Sequence, residues 1–313
     1  MKVIKTPALS GNYLATIAIG KRYADDFYEN SYGTWVDYCN RYDLGLIVFE
    51  DDLIERNHKC WKKPTWQKML IGDALNEKGI TAKNICYLDT DIIISPFAEN
   101  IFKEYNEERI GIISKRSRLP YPLVEVQKRL AMLRKKNYDE NYPLDSSLFI
   151  SLKDLYEFHN LKPQANEACM GVIVFNQNNH SKIMKDWFMK YDKNVESITN
   201  GGDQTHYNYE IQSKGIEQWI DYRYQTIWSY EAAWYYPFLL KSEIDIQLFK
   251  ECLRASLYRN YFIHFAGNWP ESLDWKKVGK LEELIPLNER KEYIKYLEYQ
   301  CSGKPKGVIR PRY

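Results

Sequence analysis

Two carboxylates two residues apart, Asp89 and Asp91, close the apolar run of "NICYLDTDIIIS" (residues 84–95). Side chains at that spacing on an extended backbone point to the same side. Like charges so placed repel, and a cation or hydrogen-bond donors must hold them ionised. Carboxylate oxygens suit hard divalent cations, Mn2+ or Mg2+, which keep positions open for phosphate oxygens. A cation there would neutralise a departing diphosphate and act as a Lewis acid. The bland reading is a solvated turn, since D-x-D is common by chance. Its place between Ile85–Leu88 and Ile92–Ile94 favours a site. His264, in "YFIHFAGNWP", sits in an apolar strand just before Gly267. It reads either as a core histidine or as the imidazole that completes a carboxylate metal site, where it would favour Mn2+ over Mg2+. His58, His159, His180 and His206 lack such a setting, and no His-Cys cluster has zinc spacing.

The elements that would position these groups follow in order. "YLATIAIG" reads as a first strand ending at Gly20, "DDFYENSYGTWVDYCNRY" as a helix, and "LGLIVFEDD" as a second strand. "WQKMLIGDALNEKG" is a helix with Gly79 as its C-cap, and "NICYLD" is a third strand. Continuous apolar strands alternating with helices imply a mostly parallel sheet covered on both faces. Ligands of such sheets bind beyond the carboxyl ends of the strands, where Gly20, Asp51, Asp52, Asp89 and Asp91 fall. Between 115 and 165 the pattern loosens. Leu123, Val126, Leu130 and Leu133 mark an amphipathic helix with a basic polar face, beside Lys115, Arg116 and Arg118. That face reads as solvated, with an acceptor lid or contact with an anionic membrane as the functional alternative. Further on come a strand at "GVIVFN", a helix at "SKIMKDWFMKYDKNV" and a helix entered at Asp203. "IEQWIDYRYQTIW" is strand-like, "NYFIHF" is a short strand, "NERKEYIKYLEYQ" a final helix, and the tail is basic. The expectation is one α/β domain over 1–313, Rossmann-like, with an inserted helical segment. Its parts are 14–114, 115–165 as insertion, 166–270, and 271–313 as C-terminal helix and tail.

The bulk composition narrows the possibilities. The 313 residues carry 44 Lys and Arg against 42 Asp and Glu, so no strong field points to nucleic acid. There is no apolar stretch of 18 residues and no secretory h-region, which leads to the expectation of a cytoplasmic protein, associated at most with the inner membrane surface. The six cysteines form no close pair and are expected to be reduced.

At this point the residues reach a resemblance. "YLDTDIIISPF" resembles the D-x-D segment of nucleotide-sugar glycosyltransferases of GT-A fold, and "GGDQTHYN" resembles their D-Q-x-x-x-N segment. "HFAGNWP" is similar to the H-F-x-G-x-x-K-P-W element of family 8, the glycogenin-like and bacterial galactosyl- and glucosyltransferases. "TIAIGKRYADDFYENSYGTWVDYCNRYDLGLIVFED" followed by "PTWQKMLI" is similar to family 34 enzymes. The resemblance implies a GT-A fold, with 14–114 as the nucleotide-sugar-binding half, 115–165 as an acceptor lid and 166–270 as the acceptor and catalytic half, and Mn2+ (or Mg2+) held by Asp89, Asp91 and His264. It implies a UDP-sugar donor, with Ala18, Ile19 and Gly20 at base and ribose and Lys68 against the donor. Asp203 and Gln204 would line the sugar pocket, and Gly267 would let a backbone N–H approach the diphosphate. The reaction implied is hexosyl or pentosyl transfer to a glycan or glycolipid, with retention. Two departures stand out: "ACMGVIVFN" puts Cys169 and Met170 before Gly171, and no Lys follows the H-F-x-G element.

Blander roles exist for several of these residues. Asp203 also reads as a helix N-cap, Lys68 as a surface lysine, and Trp228, Trp234, Tyr235 and Tyr236 as core, one or two of them stacking on an acceptor. For an inverting enzyme, Asp203 or Glu231 would be the base. Two other classes fit in part: a haloacid-dehalogenase-type phosphatase, with Asp as nucleophile, and a non-catalytic sugar-binding protein on the same fold.

Overall fold

The computed structural model describes residues 1–136, 150–199, 202–239, 245–267 and, in the C-terminal stretch, 284–285, 289, 291–292 and 295. The expected final helix lies mostly, and the basic tail wholly, outside these residues. Ten strands occur in chain order: β1 Lys2–Lys5, β2 Tyr13–Ile17, β3 Gly45–Phe49, β4 Asn84–Leu88, β5 Ile92–Ile94, β6 Ile110–Ser114, β7 Ala168–Asn176, β8 Glu217–Trp219, β9 Thr226–Ile227 and β10 Phe262–His264. Seven form one sheet in the order β1-β3-β2-β4-β7-β6-β8. β2, β3, β4, β6 and β8 run one way, while β1 and β7 run against them. The sheet is thus mixed and mostly parallel in strand direction, as the apolar runs predict. β7 lies beside β4 in its middle.

Every residue of β2, β3 and β4 is buried, so both faces of the central sheet are covered. Alternation along β4 divides its side chains between two cores. Ile85 and Tyr87 join Trp66, Met69 and Phe188 on one face, and Cys86 and Leu88 join Phe27, Trp35 and Tyr38 on the other. Asp89 continues the Tyr87 side. Leaving β4, the chain crosses through Thr90 into β5, which belongs to a second sheet of order β5-β10-β9. There β10 runs antiparallel to β5 and places His264 opposite Ile92. The Phe265 N–H donates to the Asp91 carbonyl at 3.0 Å. Pairing between sequence-distant strands therefore delivers the histidine to the acidic pair.

Some expectations are corrected. β1, a four-residue edge strand with lysine at each end, carries no strong apolar signal, and the reading missed it. The stretch 216–228 is broken: the Asp221 carboxylate accepts from the Arg223 N–H at 2.8 Å and opens a 3-10 turn at Tyr222–Gln225 between β8 and β9. Helix Trp228–Tyr235 follows. Helix Ile246–Arg259, capped by Asp245 onto the Gln247 and Leu248 N–H groups, was not anticipated.

In helix Leu123–Lys136 the expected core positions Val126 and Leu130 are buried against Ile227, Tyr230 and Ala233; the side chain of Leu133 lies outside the described set. The basic residues before it are not all solvated. Glu167, 1% exposed, holds Lys115 Nζ at 2.9 Å and Arg116 Nε at 2.6 Å, and only Arg118 of the three is exposed. Cys39, Cys60, Cys86, Cys169 and Cys252 are free thiols. No helix among the described residues is long and apolar enough to cross a membrane.

Candidate active site

Asp89, Asp91 and His264 each offer one ligand atom, and these atoms lie within 4.8 Å of one another. His264 Nε2 stands 3.2 Å from Asp91 Oδ1 and 3.6 Å from Asp89 Oδ2. The ring is buried, whereas the two aspartates are about one-third exposed toward an open cleft of about 290 Å3. The cleft lies at the carboxyl ends of β2 and β4. It is lined by Ile17, Ile19, Arg22, Tyr23, Asp26, Lys63, Pro64, Thr65, Tyr87, Thr90, Phe265 and Gly267 besides the two acids.

The far side of the His264 ring explains which nitrogen faces the acids. Gln225, arriving from the 3-10 turn, meets His264 Nδ1 at 3.1 Å. In the one amide orientation that satisfies both of its ends, its nitrogen donates to the Cys169 carbonyl at 2.8 Å. Its oxygen accepts from His264 Nδ1 and from the Gly171 and Val172 N–H groups, all at 3.1 Å. Nδ1 then carries the proton and Nε2 presents a lone pair. Asp91 Oδ1 is buried, and no hydrogen-bond donor among the described residues reaches it. Two lone pairs facing each other across 3.2 Å need a positive charge between them, whether a proton or a metal ion. Without a metal, burial opposes the imidazolium, but the Asp91 carboxylate outweighs it and holds the His264 pKa well above its ordinary value. One imidazole and two carboxylates, half-facing an open cleft, fit a Mn2+-type ion with free positions.

The backbone under the site is irregular for a reason. Along β6, Ile112 pairs with Ile173 but Ile113 pairs with Cys169, so Met170, Gly171 and Val172 have no partner on that strand. Such a bulge frees backbone groups next to a site. Their hydrogen bonds go to site residues. The Met170 carbonyl accepts from Lys68 Nζ at 2.8 Å, the Gly171 carbonyl accepts from the Asp89 N–H at 2.8 Å, and Gln225 takes the remainder described above. Gly171 must be glycine: a Cβ there would lie 2.4 Å from His264 Cε1 and 2.6 Å from the Gln225 amide atom that faces it, the oxygen in this orientation.

Lys68 is only 2% exposed and lies beneath the cleft, not on it. It pairs with Asp203 Oδ2 at 3.1 Å and approaches Asp89 Oδ1 at 3.7 Å, over the Tyr87 ring, whose hydroxyl donates to Asp89. Burial disfavours its charge, but Asp203 and Asp89 outweigh that and keep its pKa above the ordinary value. Lys68 is therefore neither a surface lysine nor in contact with the cleft. Its charge braces Asp89 from behind. Asp203 precedes helix Gln204–Ser213 but makes no capping bond, its carboxylate turning to Lys68 instead. Gln204 donates to Glu167 at 2.5 Å. Neither lines the cleft as described.

Of the three residues after β2, Ile19 lines the cleft and Gly20 adopts φ 94° at the start of helix Lys21–Asp26. Ala18 faces the opposite core, as its neighbour on an extended chain must, and its N–H is taken by the Phe49 carbonyl. Gly267 lines the cleft with φ 89°; residues 268–270 lie outside the described set. Glu231 is buried and accepts from Ser256, Arg259 and Asn260, so it is not a base facing the cleft. Trp228 and Tyr236 are core, while Trp234 and Tyr235 are half-buried under Arg129 and Arg259.

Three contributors escaped the sequence reading: Gln225, Tyr87 and the steric role of Gly171. Tyr87 could have been found, since it is two residues before Asp89 on the same strand face. Gln225 carries no local signal at all.

No family model and no curated protein sequence matches the chain. Among solved structures, it is similar to a glycosyltransferase involved in glycosylation of the major capsid of PBCV-1, with 11% identity, 85% of this chain and 98% of that one covered, and a TM-score of 0.47. It is also similar to the galactosyltransferase LgtC in complex with donor and acceptor sugar analogs, with 11% identity, coverage of 90% and 99%, and a TM-score of 0.43. The bifunctional glycosyltransferase WbbM is a third, with 12% identity, coverage of 94% and 53%, and a TM-score of 0.43.

Proposed function

We propose that this chain is a metal-dependent glycosyltransferase that moves a hexosyl or pentosyl group from a nucleoside diphosphate sugar, in our reading UDP-linked, to a hydroxyl of a glycan or glycolipid. The observation that carries the reading is the convergence of Asp89, Asp91 and the Nε2 lone pair of His264 at the floor of a cleft beyond the carboxyl ends of β2 and β4. Mn2+ (or Mg2+) held there supplies charge neutralisation for a departing diphosphate. Ile17, Ile19 and Tyr23 give the cleft apolar and aromatic surface suited to a base, and Arg22 and Lys63 give it cations suited to phosphate. Gly267 leaves the backbone open to close approach. Asp203 and Gln204, held by Lys68 and Glu167, shape the wall behind the site.

We read the outcome at the anomeric carbon as retention; besides the acid pair, one further carboxylate among the described residues lines the cleft, Asp26. An inverting reaction needs a carboxylate base at the acceptor hydroxyl, and both sequence candidates, Asp203 and Glu231, are buried in polar clusters off the cleft.

The test is calorimetric binding of UDP with and without Mn2+, for the wild type and Asp91→Ala. Binding that requires Mn2+ and vanishes in the variant supports the reading. Metal-independent binding unchanged in Asp91→Ala, or rapid release of inorganic phosphate from a generic phosphomonoester, overturns it in favour of a sugar-binding protein or a phosphatase.

A further inference from the structure

The inference concerns a residue outside the cleft and rests on the metal-site reading above. We infer that Gln225 is a positioning residue that fixes His264 in the tautomer able to bind a divalent cation. A glutamine amide can present either end to an imidazole. Were its nitrogen turned to Nδ1, the ring proton would move to Nε2 and point at Asp91, closing the site to a metal. Three backbone groups prevent that. The Cys169 carbonyl takes the amide nitrogen at 2.8 Å, and the Gly171 and Val172 N–H groups claim the oxygen at 3.1 Å each. The fixed oxygen then accepts from Nδ1–H.

All of this is buried. Gln225 is 4% and His264 3% exposed, so water does not compete freely for either group. The Gly171 and Val172 N–H groups are available because the β6 ladder skips Met170 to Val172, and the Cys169 carbonyl lies at the edge of that gap, where the ladder resumes opposite Ile113. The missing side chain at Gly171 leaves the room in which the amide and ring meet. Among the described residues the alternative partner near Nδ1 is Cys169 Sγ at 3.7 Å, and a thiol sulfur is a weak acceptor. Outer partners of metal-bound histidines act in this way by holding ring orientation and proton position.

The experiment is Mn2+ titration of the full chain, followed by the electron paramagnetic resonance of free Mn2+, with the melting temperature of each variant measured alongside. Gln225→Met keeps length and removes the acceptor; a loss of roughly ten- to a hundredfold in Mn2+ affinity is expected. Gln225→Glu keeps an oxygen against Nδ1 while losing the bond to Cys169, and should hold affinity within about threefold of the wild type. Gln225→Asn, an amide one methylene short, should fall between them and serves if the Met variant does not fold. A purely structural role predicts equal affinities for folded Met and Glu variants, or losses that track melting temperature alone, and either result overturns the inference. Failure of the wild type to bind Mn2+ overturns the metal-site reading itself and this inference with it, whereas wild-type-like binding in folded Gln225→Met overturns only the role of Gln225.

Discussion

Gly171→Ala tests the geometry of the site by adding a single methyl group. Its Cβ would stand 2.4 Å from His264 Cε1 and 2.8 Å from Nδ1, where carbon contacts settle at roughly 3.5–4.0 Å. About 1 Å of clearance must therefore be found. The alanine cannot retreat without disturbing the bond between the Gly171 carbonyl and the Asp89 N–H. The His264 ring is confined as well, since β10 is paired with β5 on one side and β9 on the other. The ring must tilt or slide, and Gln225 with it. Overpacking of this kind costs about 1–3 kcal/mol. At about 2.1 cal/mol/K of unfolding entropy per residue, a chain of 313 residues should lose about 2–5 °C in Tm.

The same strain acts on metal binding. If the free protein relieves it by displacing the ring, an ion that needs Nε2 in place must overcome it, which weakens Mn2+ by roughly five- to a hundredfold. The assay is a Mn2+ titration of Gly171→Ala beside Gly72→Ala. The second glycine offers a comparably close overlap, 2.0 Å from Ser181 Oγ, with Ser181 and Phe175 and no metal-site atom as its nearest neighbours. Gly72→Ala should lower Tm and leave Mn2+ affinity alone. Gly171→Ala binding Mn2+ within twofold of the wild type, with Tm reduced as expected, would refute the claim that this glycine seats the metal ligand.

Two further outcomes address parts of the fold outside the metal ligands. Glu167→Gln removes the buried charge shared by Lys115 and Arg116 and should destabilise the chain by about 3–5 kcal/mol, read by urea unfolding, while leaving Mn2+ affinity unchanged. His206 is buried beside Trp66, Tyr191 and His159, and burial, with His159 and Lys190 adding to it, lowers its pKa to about 4. The unfolded chain takes up this proton near pH 6.5 and the folded one only near 4, so stability is full above 6.5 and falls as pH drops through that window. The loss is at most about 3 kcal/mol, and His206→Phe should flatten the stability–pH curve there.

What was legible in the sequence, and what was not, follows the range of the interactions. The central strands announce themselves because each is buried on both faces and so reads as an uninterrupted apolar run. Asp89 and Asp91 stand out because a short-range rule, two residues on an extended chain, puts them on one side. Helix Leu123–Lys136 was visible for the same kind of reason, as Val126 and Leu130 keep helical spacing. Lys115 and Arg116 were misread because their partner, Glu167, is some fifty positions away and the sequence shows only a run of like charge. Ala18 was grouped with Ile19 because a motif names neighbours, while the strand sends alternate side chains to opposite faces. Gln225 could not have been found, since its role depends on a turn begun by Asp221, on a bulge in β7 and on a histidine 39 residues downstream.

The departure at "ACMGVIVFN" gains a physical meaning from this. Its three residues skipped by β6 divide backbone groups among Lys68, Asp89 and Gln225, and through Gln225 they reach His264. One face of the bulge thereby sets the lone pair of the imidazole, and the other anchors the ammonium that Asp89 and Asp203 share. A metal ion at Asp89 and Asp91 would draw on the carboxylate that Lys68 also attracts, so charge at the metal and charge at Asp203 are linked through one buried lysine. What the metal site takes from Cys169 and Met170 is backbone, while the Met170 side chain is buried in the core. At Gly171 the side chain itself is forbidden. The unusual residues in that segment are therefore compatible with an intact metal site, and the demand that the sequence must meet there is the glycine.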